Sequence, residues 1–232
     1  MNAKYLDLHV IQTVPPSCIN RDDTGSPKMA IYGGVPRARV SSQAWKHAMR
    51  GMFSELFSKE QVGVRTKRVL EMIIGELKKL EYQGNMEKAA MDGLKKCGFN
   101  FKKDALLDTL FFMSYAQAKK IAELIAAGEE DKGLYKNALK EMPAIDMALF
   151  GRMVASDPSL NYDAAAQVAH SISTHEVRNE YDYFTAVDDL APEDNAGAGH
   201  LGTVEFYSAT LYRYATVNLW ELQNYLGDDT IS

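Results

Sequence analysis

The apolar positions of this chain change period several times. Leu6, Leu8 and Val10 alternate with Tyr5, Asp7, His9 and Ile11, so Lys4–Val14 is expected as a strand with two unlike faces. Pro15-Pro16 is expected to end it, and the turn-forming residues Ser17, Asn20, Asp22, Asp23, Gly25, Ser26 and Pro27 follow. A short extended piece, Val35 to Val40, alternates Arg37 and Arg39 on one side. Ser41-Ser42 then supplies an N-cap for a helix running to about Ser58. Trp45, Met49, Met52 and Leu56 recur at helical spacing and predict a core-facing stripe. Gln43, Lys46 and Arg50 make a second row, centred roughly a third of a turn away.

From Ser58 the pattern becomes helical and mixed in charge. Ser58 to Gln61 fits a capping box. Helices are expected over Arg65–Tyr82, Met86–Cys97, Tyr115–Ala127 and Lys132–Met142, with a strand at Thr109–Met113. Alternation returns at Ala144–Met153, and a helix is expected over Asp163–Ser173. Val177–Thr185 reads as a strand. The stretch Val187–Gly202 holds four acids and four glycines or prolines without amphipathic period, so it reads as an excursion. Thr203–Val217 is a long alternating strand, and a helix begins at Leu219–Leu226. The order suits an α+β sheet with helices on one side.

Composition narrows the class. At 232 residues, 46% hydrophobic and 25% charged, the chain can bury a core without disulfide or metal staples. Two cysteines, Cys18 and Cys97, fit a reducing cytoplasm. Asp7 and His9 interrupt any secretory signal, and no uncharged apolar run approaches the ~20 residues of a membrane span. The net charge of -5 hides an asymmetry. Residues 21–50 carry six basic groups against two acids, whereas 154–232 carry two against thirteen. Such separation can draw a polyanion to a basic face or copies of the chain to each other.

Hydrolytic chemistry has little to stand on. There is no Gly-x-Ser-x-Gly elbow, and the histidines His9, His47, His170, His175 and His200 are scattered. His170 and His175 miss the helical ligand spacing, and Gly33-Gly34 lacks the Gly-Lys-Ser/Thr of a phosphate loop. Asp22-Asp23 and Asp188-Asp189 could hold Mg²⁺ as a ribonuclease would, though adjacent acids in turns more often cap or meet solvent. No cofactor is expected. Phosphate binding is better served. Arg21, Lys28, Arg37 and Arg39 precede the Ser41/Ser42 helix end, and Gln43, Lys46 and Arg50 prolong the line. The alternative is a solvated basic surface. Tyr181, Tyr183 and Phe184 could stack bases beside the excursion or fill a core.

Particular blocks go further. Pro16 to Asp23, Ala30-Ile31-Tyr32-Gly33-Gly34, and Arg39-Val40-Ser41-Ser42-Gln43 with Lys46 and Ala48-Met49-Arg50 open the series. Asp146 to Met153, Ala169-His170-Ser171-Ile172, Thr174-His175, Tyr183 to Leu190, His200-Leu201-Gly202 and Tyr212-Arg213-Tyr214-Ala215 complete it. In this order they resemble the crRNA-binding backbone subunit of the type I-E CRISPR Cascade complex, in the CRISPR-associated RAMP superfamily of RNA-binding proteins. The resemblance implies an α+β fold: an RRM-like (ferredoxin-like) palm over 1–57 and 143–232, helical fingers over 58–142, and a β thumb over 184–202. It implies a cytoplasmic, non-catalytic scaffold of antiviral defence that polymerises head to tail along the crRNA into a helical filament. The thumb would displace a base at intervals, leaving the guide to pair with target DNA, beside other Cascade subunits.

By the same resemblance, Arg21, Lys28, Ser41, Gln43, Lys46 and Arg50 would touch the RNA backbone, with Arg37 and Arg39 as electrostatic supports. Met153 would wedge against the displaced nucleotide, and Phe184 and Thr185 would stand at the thumb base. Family members continue beyond the Leu226 region, so the chain is expected to lack its C-terminal third. The competing readings are a metal-dependent ribonuclease of the superfamily using Asp22/Asp23 or Asp188/Asp189, and a module that binds only protein partners.

Overall fold

A computed structural model describes residues 4–101, 105–186, 190 and 200–227. The elements run β1 (Tyr5–Ser17), β2 (Met29–Tyr32), β3 (Val35–Val40), α1 (Ser42–Leu56), β4 (Val64–Thr66), α2 (Val69–Lys79), α3 (Met86–Lys96) and β5 (Phe111–Met113). Then follow α4 (Tyr115–Ala126), α5 (Lys132–Ala138), α6 (Ile145–Phe150), β6 (Ala166–Val168), β7 (Ser171–Ser173), β8 (Glu180–Ala186), β9 (His200–Asn218) and α7 (Leu219–Leu226). The result is a mixed α+β chain, with the order β1-β9-β7-β3-β2 in its larger sheet and antiparallel pairing at β2–β3, β3–β7, β7–β9 and β8–β9.

Two compact units divide the chain. The first takes residues 1–6, 49–167 and 217–232, and the second takes 7–48 and 168–216, so the division falls inside α1. In the first unit, helices α2 to α5 close around Val69, Ile73, Leu77, Leu94, Ile121, Tyr135 and Leu139. Their charges pair at helical spacing: the buried Glu76 accepts from the exposed Lys79 at 2.7 Å, and Asp92 and Lys95 meet at the surface at 3.4 Å. Cys97 is buried in this core, and burial pushes its thiol up to about 12. Cys18, in the second unit, is half-buried. A maleimide titration of the folded protein is therefore expected to consume one thiol, and the second only in denaturant. Two thiols reacting at one rate would refute this.

The second unit is a sheet with one face closed. Val14, Ala38, Val40, Val177, Tyr207, Ala209 and Leu211 form its core, with Ala44 and Trp45 of α1 packed against them. The alternation of each strand sends Arg37, Arg39, Tyr212 and Tyr214 to the other face. Gly33 and Gly34 make the two-residue turn between β2 and β3, both at positive φ (65° and 81°), which is the hairpin turn that L side chains resist.

Several expectations from the pattern fail in instructive ways. Pro15-Pro16 does not end β1, which continues to Ser17; β1 is the edge of the sheet order, where a missing N–H is tolerated. Residues 58–61 close a turn, with Gln61 Oε1 accepting from the Ser58 N–H at 3.0 Å, and the helix begins only at Val69. The alternation over 144–153 folds as α6, because Asp146, Met147 and Ala148 are all buried in succession. Asp163–Ser173, helical by its alanines, instead supplies β6 and β7. Buried hydroxyls explain β7: Ser173 Oγ accepts from the Ala38 N–H at 3.1 Å, and Ser171 Oγ accepts from Trp45 Nε1 at 3.0 Å. The expected apolar stripe of α1 meets the core only at its start, where the half-buried Trp45 packs on the sheet; no residue of α1 is fully buried, and Met52 and Leu56 are 56% and 68% exposed. The excursion over 187–202 and Asp188-Asp189 lie, apart from residues 190 and 200–202, outside the described residues. Among the described residues no helix is long and apolar enough to cross a membrane.

Candidate nucleic-acid interface

The loop from Asn20 to Lys28 is built by short-range hydrogen bonds. Asp22 Oδ1 accepts from the Thr24 N–H (2.9 Å), the Thr24 hydroxyl (2.7 Å) and the Ser26 N–H (3.0 Å). The Thr24 side chain first, then the backbone N–H groups, hold the Asp22 carboxyl below its usual range. Asp22 is thus an organiser of the turn. Arg21 donates across the same loop to Gly25 O at 2.7 Å and is exposed.

This loop is tied to the start of α1. Asn20 Oδ1 accepts from the Ser41 N–H at 2.9 Å, Asn20 O accepts from the Lys28 N–H at 2.9 Å, and Lys28 O accepts from the Arg39 N–H at 2.9 Å. The buried Ser41 caps the helix, its hydroxyl accepting from the Ala44 N–H at 3.3 Å. Gln43 is exposed and Lys46 half-buried on the first turns. Arg21, Lys28, Ser41, Gln43 and Lys46 therefore share one neighbourhood, with the positive end of a helix dipole behind them.

Arg37 and Arg39 stand on the open face of the sheet. Arg37 donates to Tyr32 O (3.3 Å) and Ser173 O (3.2 Å). Arg39 donates to Met29 O at 3.1 Å, and its Nη1 lies 3.3 Å from His170 Nδ1. In the same unit Phe184 and Thr185 are exposed on β8, opposite Gly202 and Leu201. The Phe184 ring lies across Gly202: a Cβ there would come within 2.3 Å of Phe184 Cζ.

Two of the chosen residues belong to the first unit. Arg50 is engaged inside it, its Nε donating to the buried Asp146 Oδ2 at 2.9 Å and its guanidinium lying 4.6 Å from the centre of the Phe112 ring. Met153 is 85% exposed and borders a cavity of about 340 Å³ that Phe99, Asn100, Leu110 and Phe111 help to line.

One cluster went unnoticed in the sequence. On the open sheet face His9 Nδ1 lies 2.7 Å from the Tyr212 hydroxyl, with the rings 6.1 Å apart, and the Tyr214 ring is 5.0 Å from His9. Tyr214 donates to Asp7 Oδ1 at 2.9 Å. The shared strand face of Asp7 and His9, and the two-residue spacing of Tyr212 and Tyr214, were the available signals. Which strands would be neighbours was not.

The sequence matches, over residues 6–232, the family described as CT1975-like protein. The chain belongs to this family. Among solved structures, this CT1975-like protein is similar to a chain of "CRISPR RNA-guided surveillance complex, pre-nicking", at 32% identity and a TM-score of 0.76. A second, from "CRISPR RNA-guided surveillance complex", matches at 29% identity and a TM-score of 0.64. Each likeness covers 97% of this chain and 67% of the other, so the CT1975-like chain spans about two thirds of their length. No curated protein matches it.

Proposed function

We propose that this protein is a non-catalytic crRNA-binding scaffold subunit of a type I-E CRISPR surveillance complex in the cytoplasm. The observation that carries the reading is the 32% identity over nearly the whole chain to a component of an RNA-guided surveillance complex. The grouping of Arg21, Lys28, Gln43 and Lys46 at a helix N-terminus adds a chemistry suited to a sugar–phosphate backbone. In this reading Arg21, Lys28, Ser41, Gln43, Lys46 and Arg50 line the guide, and Arg37 and Arg39 lend charge. The palm is RRM-like (1–57 and 143–232), residues 58–142 are the fingers, and a thumb over 184–202 starts at Phe184 and Thr185. Copies add head to tail, Met153 wedges against a displaced nucleotide, and the exposed guide segments pair with target DNA.

The test is the mass, by light scattering, of complexes with single-stranded RNAs of increasing length. One further copy bound per fixed added length is expected. Affinity is expected to fall with salt by roughly 0.7 log unit per log unit for each phosphate neutralised. A mass that does not respond to RNA refutes the proposal. Cleavage of the RNA in Mg²⁺, abolished by Asp22→Ala, would favour the nuclease reading instead.

A further inference from the structure

On the open face of the sheet in the second unit, beside the Arg37 and Arg39 that lend charge in the scaffold reading, lies an aromatic and acidic cluster that the reading does not use. Arg39, Ile172 and Tyr212 lie in register across β3, β7 and β9, and His9 of β1 meets Tyr212 next in line. Around that row Asp7, His9, Tyr32, His170, Tyr212 and Tyr214 border a cavity of about 400 Å³. The three tyrosines and His9 offer ring faces, and Tyr32 (62%) and Tyr212 (39%) are exposed.

The polar groups are sorted along the row. At the β3 end the Arg39 guanidinium stands beside His170, with Arg37 two residues away on the same strand face. At the β1 end stands Asp7, whose carboxylate takes the Tyr214 hydroxyl on one oxygen. A carboxylate has room for further donors on its other lone pairs. Hydrogen bonds from Thr216 and then Tyr214 hold the Asp7 carboxyl below its usual range, so it stays an acceptor. Cationic donors at one end, ring faces in the middle and an anionic acceptor at the other match a nucleotide: phosphate, planar base, exocyclic amino edge.

We propose that this face binds one unstacked nucleobase of single-stranded RNA. The base lies against Tyr212 and His9, its amino edge is turned to Asp7, and its phosphate is turned to Arg39 and His170. The choice of RNA as ligand rests on the scaffold reading; the shape and sorting of the site do not. A protein segment is the competing occupant. It would gain from the rings, but nothing in an ordinary side chain pairs a planar face with donors at one edge and an anion at the other.

The experiment compares a heptameric oligoadenylate with a heptamer of abasic tetrahydrofuran sugars, both end-labelled, by fluorescence anisotropy. Wild type is expected to prefer the base-bearing strand by about 10-fold, equivalent to about 1.4 kcal/mol. Tyr212→Ala and His9→Ala are each expected to remove that preference and leave affinity for the abasic strand unchanged. Lys28→Glu is expected to weaken both strands alike. Both ring variants alter exposed side chains, and Tyr212→Phe, which keeps the ring, is expected to keep the preference. Equal wild-type affinities, or a preference that survives both ring variants, overturn the proposal while leaving the scaffold reading intact. No binding of either strand overturns both. A loss of self-association in the ring variants with base preference retained assigns the face to protein.

Discussion

Replacing Arg152 by methionine is expected to destabilise the first unit by about 4 kcal/mol, read as a fall in the urea midpoint with the slope unchanged. Arg152 is 5% exposed and sits at the centre of a ring of carbonyls. Its Nε and Nη2 donate to Leu160 O at 2.9 and 2.8 Å, Nη2 donates to Leu139 O at 2.7 Å, and Nη1 donates to Phe112 O at 3.0 Å and Gln117 Oε1 at 3.3 Å. The Phe111 and Tyr162 rings flank the guanidinium at 4.9 and 4.7 Å. Burial lowers its pKa to about 10, so the charge is held at a desolvation cost that the carbonyls offset. Methionine keeps most of the volume and none of the donors; Leu139 O still accepts from Gln117 Nε2 at 2.9 Å and Gln117 Oε1 from the Ser114 N–H at 3.2 Å, so the loss falls chiefly on the Leu160 and Phe112 carbonyls, each worth roughly 1–3 kcal/mol. Arg152→Lys is expected to recover less than half, because one ammonium cannot reach acceptors spread around a planar fork. A midpoint shift equivalent to less than about 1 kcal/mol in the methionine variant would show that water replaces the fork without penalty.

Asp146→Ala is expected to cost about 3 kcal/mol, and Arg50→Ala nearly as much. Asp146 is fully buried, receiving Arg50 Nε at 2.9 Å on one oxygen and the Gly63 N–H at 2.8 Å on the other. Each single change strands a partner: a buried carboxylate in one case, a guanidinium and an N–H in the other. Asp146→Asn keeps the Gly63 bond and is expected to lose less than Asp146→Ala. Gly63 itself has no room for a side chain, since a Cβ would meet Phe112 Cε2 at 2.5 Å, and that ring stacks on Arg50. In a double-mutant cycle the coupling between Arg50→Ala and Asp146→Ala should exceed about 1.5 kcal/mol. A coupling near zero would leave Arg50 as a surface cation. The pair also decides how RNA binding is probed: reversing Arg50 unsettles the fold, so Lys28 and Lys46 are the positions whose substitution reports on the guide.

Much of the local structure is legible in the sequence pattern alone. The strand at the N-terminus, the capped helix from Ser42, four of the helices between 69 and 138, and the final long strand with its helix follow from periodicity and caps. These signals are local, and the physics that sets them acts within a turn or two of the chain. The basic run from Arg21 to Lys46 was equally plain, because a charge count needs no neighbours.

What only the tertiary structure decided concerns partners far apart in sequence. The alanines of 163–173 favour a helix, yet Ser171 and Ser173 are more useful as buried acceptors for Trp45 and Ala38 in a sheet. By sequence Arg50 belongs to the row expected to touch the RNA and nothing singles out Arg152; only the fold sets Asp146 beside the one and the Leu139 and Leu160 carbonyls beside the other. The strand faces of Asp7, His9, Tyr212 and Tyr214 were readable singly, but their meeting depends on β9 lying next to β1, about two hundred residues away. Periodicity carries which face a residue takes; it carries nothing of which strand lies beside it, since pairing is settled by the free energy of the whole sheet and not by any one segment.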